Sequence, residues 1–365
     1  MLGRPQTVLM TADAVGGVWS YAAGLCRSLS GTRFVLATMG PRPGEAQRDE
    51  IRRFDNVTLV ESDYSLEWMT GDAADVAESR AWLADLVKDH RVDVVHVNGY
   101  AHACLGSACP VLVVAHSDVL SWWEAVRQQK APPEWDGYRK RVVAGLAAAT
   151  RVVAPTLAVL QDLEQHYRPL TNAAVIPNGI DFAACRTELK RPVVLAAGRL
   201  WDAGKNFAAL DAVAPGLAWP VEIAGDAEHP DGGVPKFSHV RPLGRISRTE
   251  MARLLASTSI FAAPARYEPF GLAILEAAAA GCALVLGDIP SLRESWDGAA
   301  AFVAPDDRPA LGVAINALIV DVRERARLAA AAQHRARRFT LQRMARAYEV
   351  LYCDIARTSS LVESV

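Results

Sequence analysis

Long apolar runs, paired cysteines, metal-ligand spacings and an excess of positive charge are all missing from this chain of 365 residues. Each absence closes a class of function. With 39 Lys and Arg against 41 Asp and Glu, the formal net charge is -2, so the basic field that non-specific nucleic-acid binding requires is lacking. The six cysteines, Cys26, Cys104, Cys109, Cys185, Cys282 and Cys353, form no CxxC pair and fall in or beside apolar segments. That usage suits reduced core residues rather than a disulfide frame or a zinc site. No HExxH or EF-hand spacing occurs, and Asp72 and Asp75 stand one residue too far apart for a D-x-D triplet. Neither a GxSxG elbow nor a cysteine with an evident base is present, so nucleophilic hydrolysis has no foothold. The longest weakly polar stretch, GYAHACLGSACPVLVVAHS, is broken by Gly, Pro and His, and no membrane-spanning segment is expected. The N-terminus enters the strand-like TVLMTA almost at once, without the charged, apolar and cleavage regions of a secretion signal. A soluble, cytoplasmic protein is the expectation, with peripheral contact at the inner membrane face left open.

What the chain does have is rhythm. Short β-branched runs recur at 7–12, 33–38, 57–62, 92–98, 110–116, 151–155 and 173–177, separated mostly by alanine-rich or amphipathic helical stretches. The pattern restarts at 193–198, 221–225, 239–244, 259–265, 283–288 and 300–305. Continuous apolar strands alternating with helices imply parallel sheets covered on both faces. The length suits two such cores. The expected fold class is therefore α/β, with two tandem Rossmann-like, doubly wound parallel-sheet domains and a cleft between them. The expected boundaries are a first domain over 1–178, a linker over 179–192 (GIDFAACRTELKRP), a second domain over 193–339, and a C-terminal helix over 340–365 packing back on the first. The end of the chain, from Leu311 to about Arg357, reads as helical and rich in arginine, either a solvated face or a membrane-surface one.

Five features carry chemistry. Gly16 and Gly17 follow the first strand in TADAVGGVWSYAAGL, where bare backbone N–H groups could approach an anion or simply make a tight turn. Ala14, Gly16 and Trp19 occupy the positions of a GxGxxG pattern, so this is not a dinucleotide fingerprint. Second, VVLAAGRLWDAGKNFAAL places five residues between Gly198 and Gly204, and Asn206 where a P-loop has Ser or Thr. A Walker site is excluded. Arg199 and Lys205 remain, on a strand-end loop, as a diphosphate clamp or as two solvated charges. Third, His116 closes the strand PVLVVAHSD, with His96, Asn98 and Asp118 at neighbouring strand ends. It is either a structural histidine or part of a polar site. Fourth, Trp122 and Trp123 could stack on a sugar or fill core. Fifth, ARYEPFGLAILEAAAAGCALVLGD sets Glu276 among alanines. An unpaired carboxylate there must face water or find a hydrogen-bonding partner. Pro269 and Gly281 bracket a helix, with Glu268 on the loop before it. In fully helical geometry the eight-residue step from Glu268 to Glu276 would span about 12 Å, enough to run beside a nucleoside diphosphate, with the amides of Gly271 and Leu272 toward its anionic end.

Taken together, EPFGLAILEAAAAG, GRLWDAGKN, VIPNGID, the N-terminal GGV and the strand-end His116 resemble family 4 of the retaining glycosyltransferases, which have the GT-B architecture. The resemblance extends through PLGRISRTEMARLLASTSIFAAPARYEPFG, IPSLRESW and RFTLQRMARAYEVLY and is densest from 175 to 305. It implies a sugar transfer from a nucleotide-diphosphate donor, UDP- or GDP-linked, to a hydroxyl acceptor, without metal or other cofactor and with retention of configuration. By position, Glu276 would accept from the ribose hydroxyls, Glu268 would face the donor sugar, and the amides of Phe270, Gly271 and Leu272 would bind sugar hydroxyls or phosphate. Arg199 and Lys205 would clamp the diphosphate, Gly16 and Gly17 would approach it, and His116 would sit by the sugar's primary hydroxyl. The first domain would take the acceptor and the second the donor. One departure concerns the clamp loop, where the family often has Lys-Gly and this chain has Lys205-Asn206. An epimerase acting on nucleotide sugars and a non-catalytic nucleotide-sugar-binding protein are the competing readings. No nucleic-acid or protein partner is implied.

Overall fold

The computed structural model describes residues 7–69, 73–184, 187–228 and 233–362; Asp72 and Cys185 of the sequence reading lie outside them. The chain divides into two compact units, one formed by Met1–Trp123, Gln129–Gly179 and Leu341–Val365, the other by Glu124–Gln128 and Ile180–Thr340.

Unit 1 is built on strands β1 (Thr7–Asp13), β2 (Arg33–Met39), β3 (Val57–Glu61), β4 (Val94–Val97), β5 (Val111–Val114), β6 (Arg151–Ala154) and β7 (Ala173–Val175). They lie in the order β3-β2-β1-β4-β5-β6-β7, every pairing parallel. Unit 2 uses β8 (Arg191–Ala197), β9 (Val221–Ala224), β10 (Arg241–Gly244), β11 (Thr258–Ala263), β12 (Ala283–Gly287) and β13 (Ala301–Val303), ordered β10-β9-β8-β11-β12-β13 and again all parallel.

Apolar residues without a polar face are what such strands need, because successive side chains enter opposite layers. In β1, Val8 and Met10 pack with Tyr21, Leu25 and Tyr348, whereas Leu9 between them packs on the other face with Leu83 and Val95. The second sheet repeats this: Val194 and Ala196 face one layer, Leu195 the other. The two expected parallel-sheet domains are thus both present.

Strand order decides where a ligand can bind. From β1 the chain winds outward to β2 and β3, then returns to place β4 on the other side of β1; in unit 2 the same reversal separates β8 from β11. Loops leaving the carboxyl ends of such a strand pair diverge and open a crevice. Gly16, Gly17 and Asn98 follow β1 and β4, and the loops that carry Lys205 and Glu268 follow β8 and β11.

The arginine-rich end resolves into the helices Arg308–Val320, Val322–Ala336 and Leu341–Val362. The last belongs to unit 1, where Met344, Ala345, Tyr348, Tyr352 and Ile355 form its buried stripe.

Candidate functional site

In unit 2 the loop after β8 is shaped by two glycines. A Cβ at Gly225 would lie 1.7 Å from the Gly198 carbonyl oxygen, so only glycine lets the loops after β8 and β9 cross so closely. Asp202 then orders the turn: its side chain accepts from the Gly204 amide at 2.9 Å and from Arg199 Nη2 at 2.9 Å. Arg199 also lies over the Trp201 ring, 5.1 Å from its centroid. The short turn Ala203–Lys205 ends at Asn206, whose φ of 59° and ψ of 35° are left-handed. Glycine or asparagine tolerates that conformation best, so the Lys205-Asn206 departure keeps a turn geometry that glycine would allow. Asparagine adds more. Its Nδ2 donates to the carbonyls of Pro264 and Pro305 at 2.9 and 2.8 Å, and its Oδ1 accepts from Arg266 at 2.7 Å. Three strand-end loops are thereby tied together.

The tie brings Lys205 to Glu268. Their charged atoms stand 2.6 Å apart, with 18% and 15% of the side chains exposed. Ser291 Oγ donates to the Glu268 carbonyl at 2.6 Å and steadies the loop behind it. Phe270 is buried against Phe339, so its side chain belongs to the core. Gly271, with φ 84°, starts the helix Leu272–Ala279 without a side-chain cap. Its carbonyl accepts from Leu275. Glu276 sits one turn inside, partly buried, and its carboxylate makes no hydrogen bond among the described residues. Burial raises its pKa, opposed by the charge of Arg248. The sequence question about that carboxylate thus has a structural answer: among the described residues no hydrogen bond or ion pair engages it, and only the charge of Arg248 acts on it from a distance.

In unit 1, Gly16 has φ 82° and ψ −148° and caps the helix Gly17–Ser28 with no side-chain hydrogen bond. A Cβ there would meet nothing within 4 Å, so backbone conformation rather than space selects glycine. His116 Nε2 lies 2.9 Å from Asn98 Oδ1, and its ring meets Tyr21 edge-on at 4.7 Å. Burial pushes its pKa down to about 4. Behind it, His96 contacts Asn98 Oδ1, Tyr21 Oη and Tyr352 Oη at 3.2, 3.3 and 2.6 Å. Asp118 is turned away from this group, accepting from Tyr167 Oη at 2.8 Å and the Ser121 amide at 2.9 Å. Trp122 and Trp123 meet edge to face at 5.9 Å and are partly exposed.

The sequence residues therefore fall into two groups, each within one unit: Arg199, Lys205, Glu268, Phe270, Gly271, Leu272 and Glu276 in the second, and Gly16, Gly17 and His116 in the first. Several organising residues escaped sequence reasoning. Asp202, Asn206, Arg266 and Ser291 hold the second group, and Tyr21 and Tyr352 back the first. Only Asn206, placed just before a helix where asparagine favours positive φ, carried a usable signal. Among the described residues, no three His, Cys, Asp or Glu side chains are grouped as a metal ion would need, and no helix is long and apolar enough to cross a membrane.

Two family models match the chain, Glycosyltransferase Family 4 over residues 15–184 and Glycosyl transferases group 1 over residues 191–321. Glycogen synthase of Mycobacterium tuberculosis is 34% identical over 187 residues, a match covering 46% of this chain and 43% of that protein. The chain thus matches less than half the length of that relative. Among solved structures, sucrose-phosphate synthase from Thermosynechococcus elongatus has a TM-score of 0.78 at 16% identity, covering 97% of this chain and 100% of that one. Anabaena HepE in complex with UDP-glucose has a TM-score of 0.74 at 18% identity, covering 97% and 99%. At those identities the two structures share the fold.

Proposed function

The chain belongs to glycosyltransferase family 4, with the GT-B fold, and from that premise we propose that it moves a sugar from a nucleotide-diphosphate donor to a hydroxyl acceptor. One observation carries this reading. At the switch point of the second sheet, Lys205 is tied to the loop of Glu268, and the helix that Gly271 caps bears the Glu276 carboxylate, without a hydrogen bond among the described residues.

Each part has a use. Ribose hydroxyls would donate to Glu276, and the uncapped helix start at Gly271 and Leu272 would face phosphate or sugar oxygens. Arg199 and Lys205, now paired with Asp202 and Glu268, would turn to the diphosphate and offset the charge that grows as it leaves. Two protein cations make that step possible without a metal. His116 and the Gly16–Gly17 turn would serve the sugar and diphosphate from the first unit.

Configuration would be retained through attack on the face the leaving group departs from. The anomeric carbon exchanges its bond to the diphosphate oxygen for one to the acceptor oxygen, and the leaving phosphate takes the acceptor's proton. No side-chain nucleophile is needed. HepE was solved with UDP-glucose, which supports UDP as the first donor to test, ahead of GDP. Polysaccharide, glycolipid and small-metabolite hydroxyls are the acceptor classes.

Calorimetric titration of UDP, GDP and ADP with EDTA present, into the wild-type chain and Glu276→Ala, tests the donor site. One nucleotide should bind without metal, and the variant should weaken it about 10- to 100-fold, as lost charge-assisted hydrogen bonds imply. Absence of binding by all three nucleotides, or unchanged affinity in the variant, would sink the assignment.

A further inference from the structure

A run of polar groups links His116 to the last helix of the chain. Tyr352 Oη lies 2.6 Å from His96 Nδ1, and His96 Nε2 lies 3.2 Å from Asn98 Oδ1. The same oxygen is 2.9 Å from His116 Nε2. The Asn98 amide sets the direction of the protons between the two rings. Asn98 Nδ2 donates to the Thr11 carbonyl at 2.6 Å, and a carbonyl only accepts, so Oδ1 is the end turned to the two imidazoles. Tyr21 Oη also lies 3.3 Å from His96 Nε2, but a hydroxyl can accept there whereas Oδ1 only accepts, so both rings present Nε2–H to the amide oxygen.

Both rings are neutral near pH 7, since burial pushes His96 down to about 3 and His116 to about 4. A neutral imidazole protonated at Nε2 has its lone pair at Nδ1. At His96 that lone pair meets Tyr352, which must then donate its hydroxyl proton. At His116, Nδ1 makes no hydrogen bond among the described residues. Ring packing holds the planes: Tyr348 stacks on His96 at 5.5 Å and 19°, and Tyr21 abuts His116.

We propose that Tyr352 is a positioning residue: by donating to His96 Nδ1 it holds both histidines as Nε2–H tautomers and leaves His116 Nδ1 to accept a hydrogen bond from a donor-sugar hydroxyl. The inference rests on the reading of His116 as a residue beside the sugar. Tyr352 itself touches no substrate. Without its hydroxyl, the Nδ1–H form of His96 becomes competitive and turns a lone pair toward Asn98 Oδ1. The amide is then pulled between Thr11 and the histidines, and His116 loses its fixed tautomer. An Nδ1–H on His116 would offer a donor where the scheme needs an acceptor.

Nitrogen-15 NMR of the full chain labelled at histidine reports the tautomers directly, with a His116→Gln sample assigning the signals. Wild-type protein near pH 7.5 should show His96 and His116 as Nε2–H forms, a test that needs no variant to fold. Tyr352→Phe keeps the ring and should mix Nδ1–H character into both. Its kcat on the sugar nucleotide selected by calorimetry should fall about 3- to 10-fold, the range one neutral hydrogen bond supports, with UDP or GDP affinity unchanged. A wild-type His116 in the Nδ1–H form, or tautomers unmoved in Tyr352→Phe, overturns the proposal. Full turnover by His116→Gln alongside the expected tautomer shift overturns the sugar-facing role of His116 instead, and the two failures stay distinct.

Discussion

Lys205 and Glu268 show what a single residue contributes here. Their 2.6 Å contact joins residues 63 apart in sequence, and it keeps the ammonium on the loop where a diphosphate would need it. Lys205→Ala should lower turnover about 100- to 1000-fold if the ammonium stabilises the leaving group, with a smaller loss of donor affinity. Steady-state kinetics check this, and near-normal kcat would remove Lys205 from the chemistry. The glutamate pair, Glu268 and Glu276, was legible because both sit on one continuous loop-and-helix segment, but the helix begins only at Leu272, so helix geometry does not set the distance between them. The loop-tying role of Asn206 was not legible, since its three hydrogen bonds reach loops 58, 60 and 99 residues away.

At the scale of elements, the eight-residue helix Leu272–Ala279 is too short to be stable alone. Its end is held from outside. Lys190 Nζ donates to the Ala280 carbonyl at 2.7 Å and to the Leu255 carbonyl at 3.3 Å, so one ammonium closes the ends of two helices. Thr187 and Gln333 add donors to Ala280 and Ala279. Burial lowers the Lys190 pKa, the cost of placing the charge there. Lys190→Met should preserve the packing of the stem and lose these bonds, destabilising the chain by about 1–2 kcal/mol. Urea unfolding would show it as a lower midpoint, and an unchanged midpoint would mean water replaces the ammonium. The helix itself was readable from Pro269 and Gly281; its lysine clasp was not, because nothing local links Lys190 to a carbonyl 90 residues on.

For the whole molecule, the distribution of buried histidines predicts which unit yields first to acid. His96, His102 and His116 all lie in unit 1, lowered by burial to about 3, 4 and 4. Their unfolded pKa is near 6.5, so the unfolded state binds more protons between those values. Their stability contribution is present above about pH 6.5 and falls as pH drops toward 4, by up to about 1.4 kcal/mol per pH unit for each histidine. Glu67, buried in the same unit and raised by desolvation, offsets part of it. Unit 2 has only exposed histidines among its described residues, His239 and His334. In that unit the Asp288 carboxyl is held low by Arg293, and that of Asp211, despite burial, by the amides of residues 238–240. Both lose their effect only below the ordinary carboxylate range, and Glu276, raised by burial, acts in the opposite sense. Hydrogen exchange, corrected for intrinsic rate, should therefore show β4 and β5 losing protection between pH 7 and 5 before β11 and β12. Simultaneous loss in both sheets would refute the assignment.

Thirteen strand runs read from sequence all appear as strands, and the doubly wound class with them. Those features depend on near neighbours: apolar residues alternating between two buried layers, turn residues at strand ends, and the proline and glycine that bracket the helix of Glu276. The sequence alone determined them for that reason. Which groups meet at the strand ends was decided only by tertiary structure, because parallel strands adjacent in a sheet can be far apart in the chain. Lys205 finds Glu268, Arg266 finds Asn206, and Tyr352 finds His96 across 256 residues, and no local pattern encodes the strand order and helix return that bring them together.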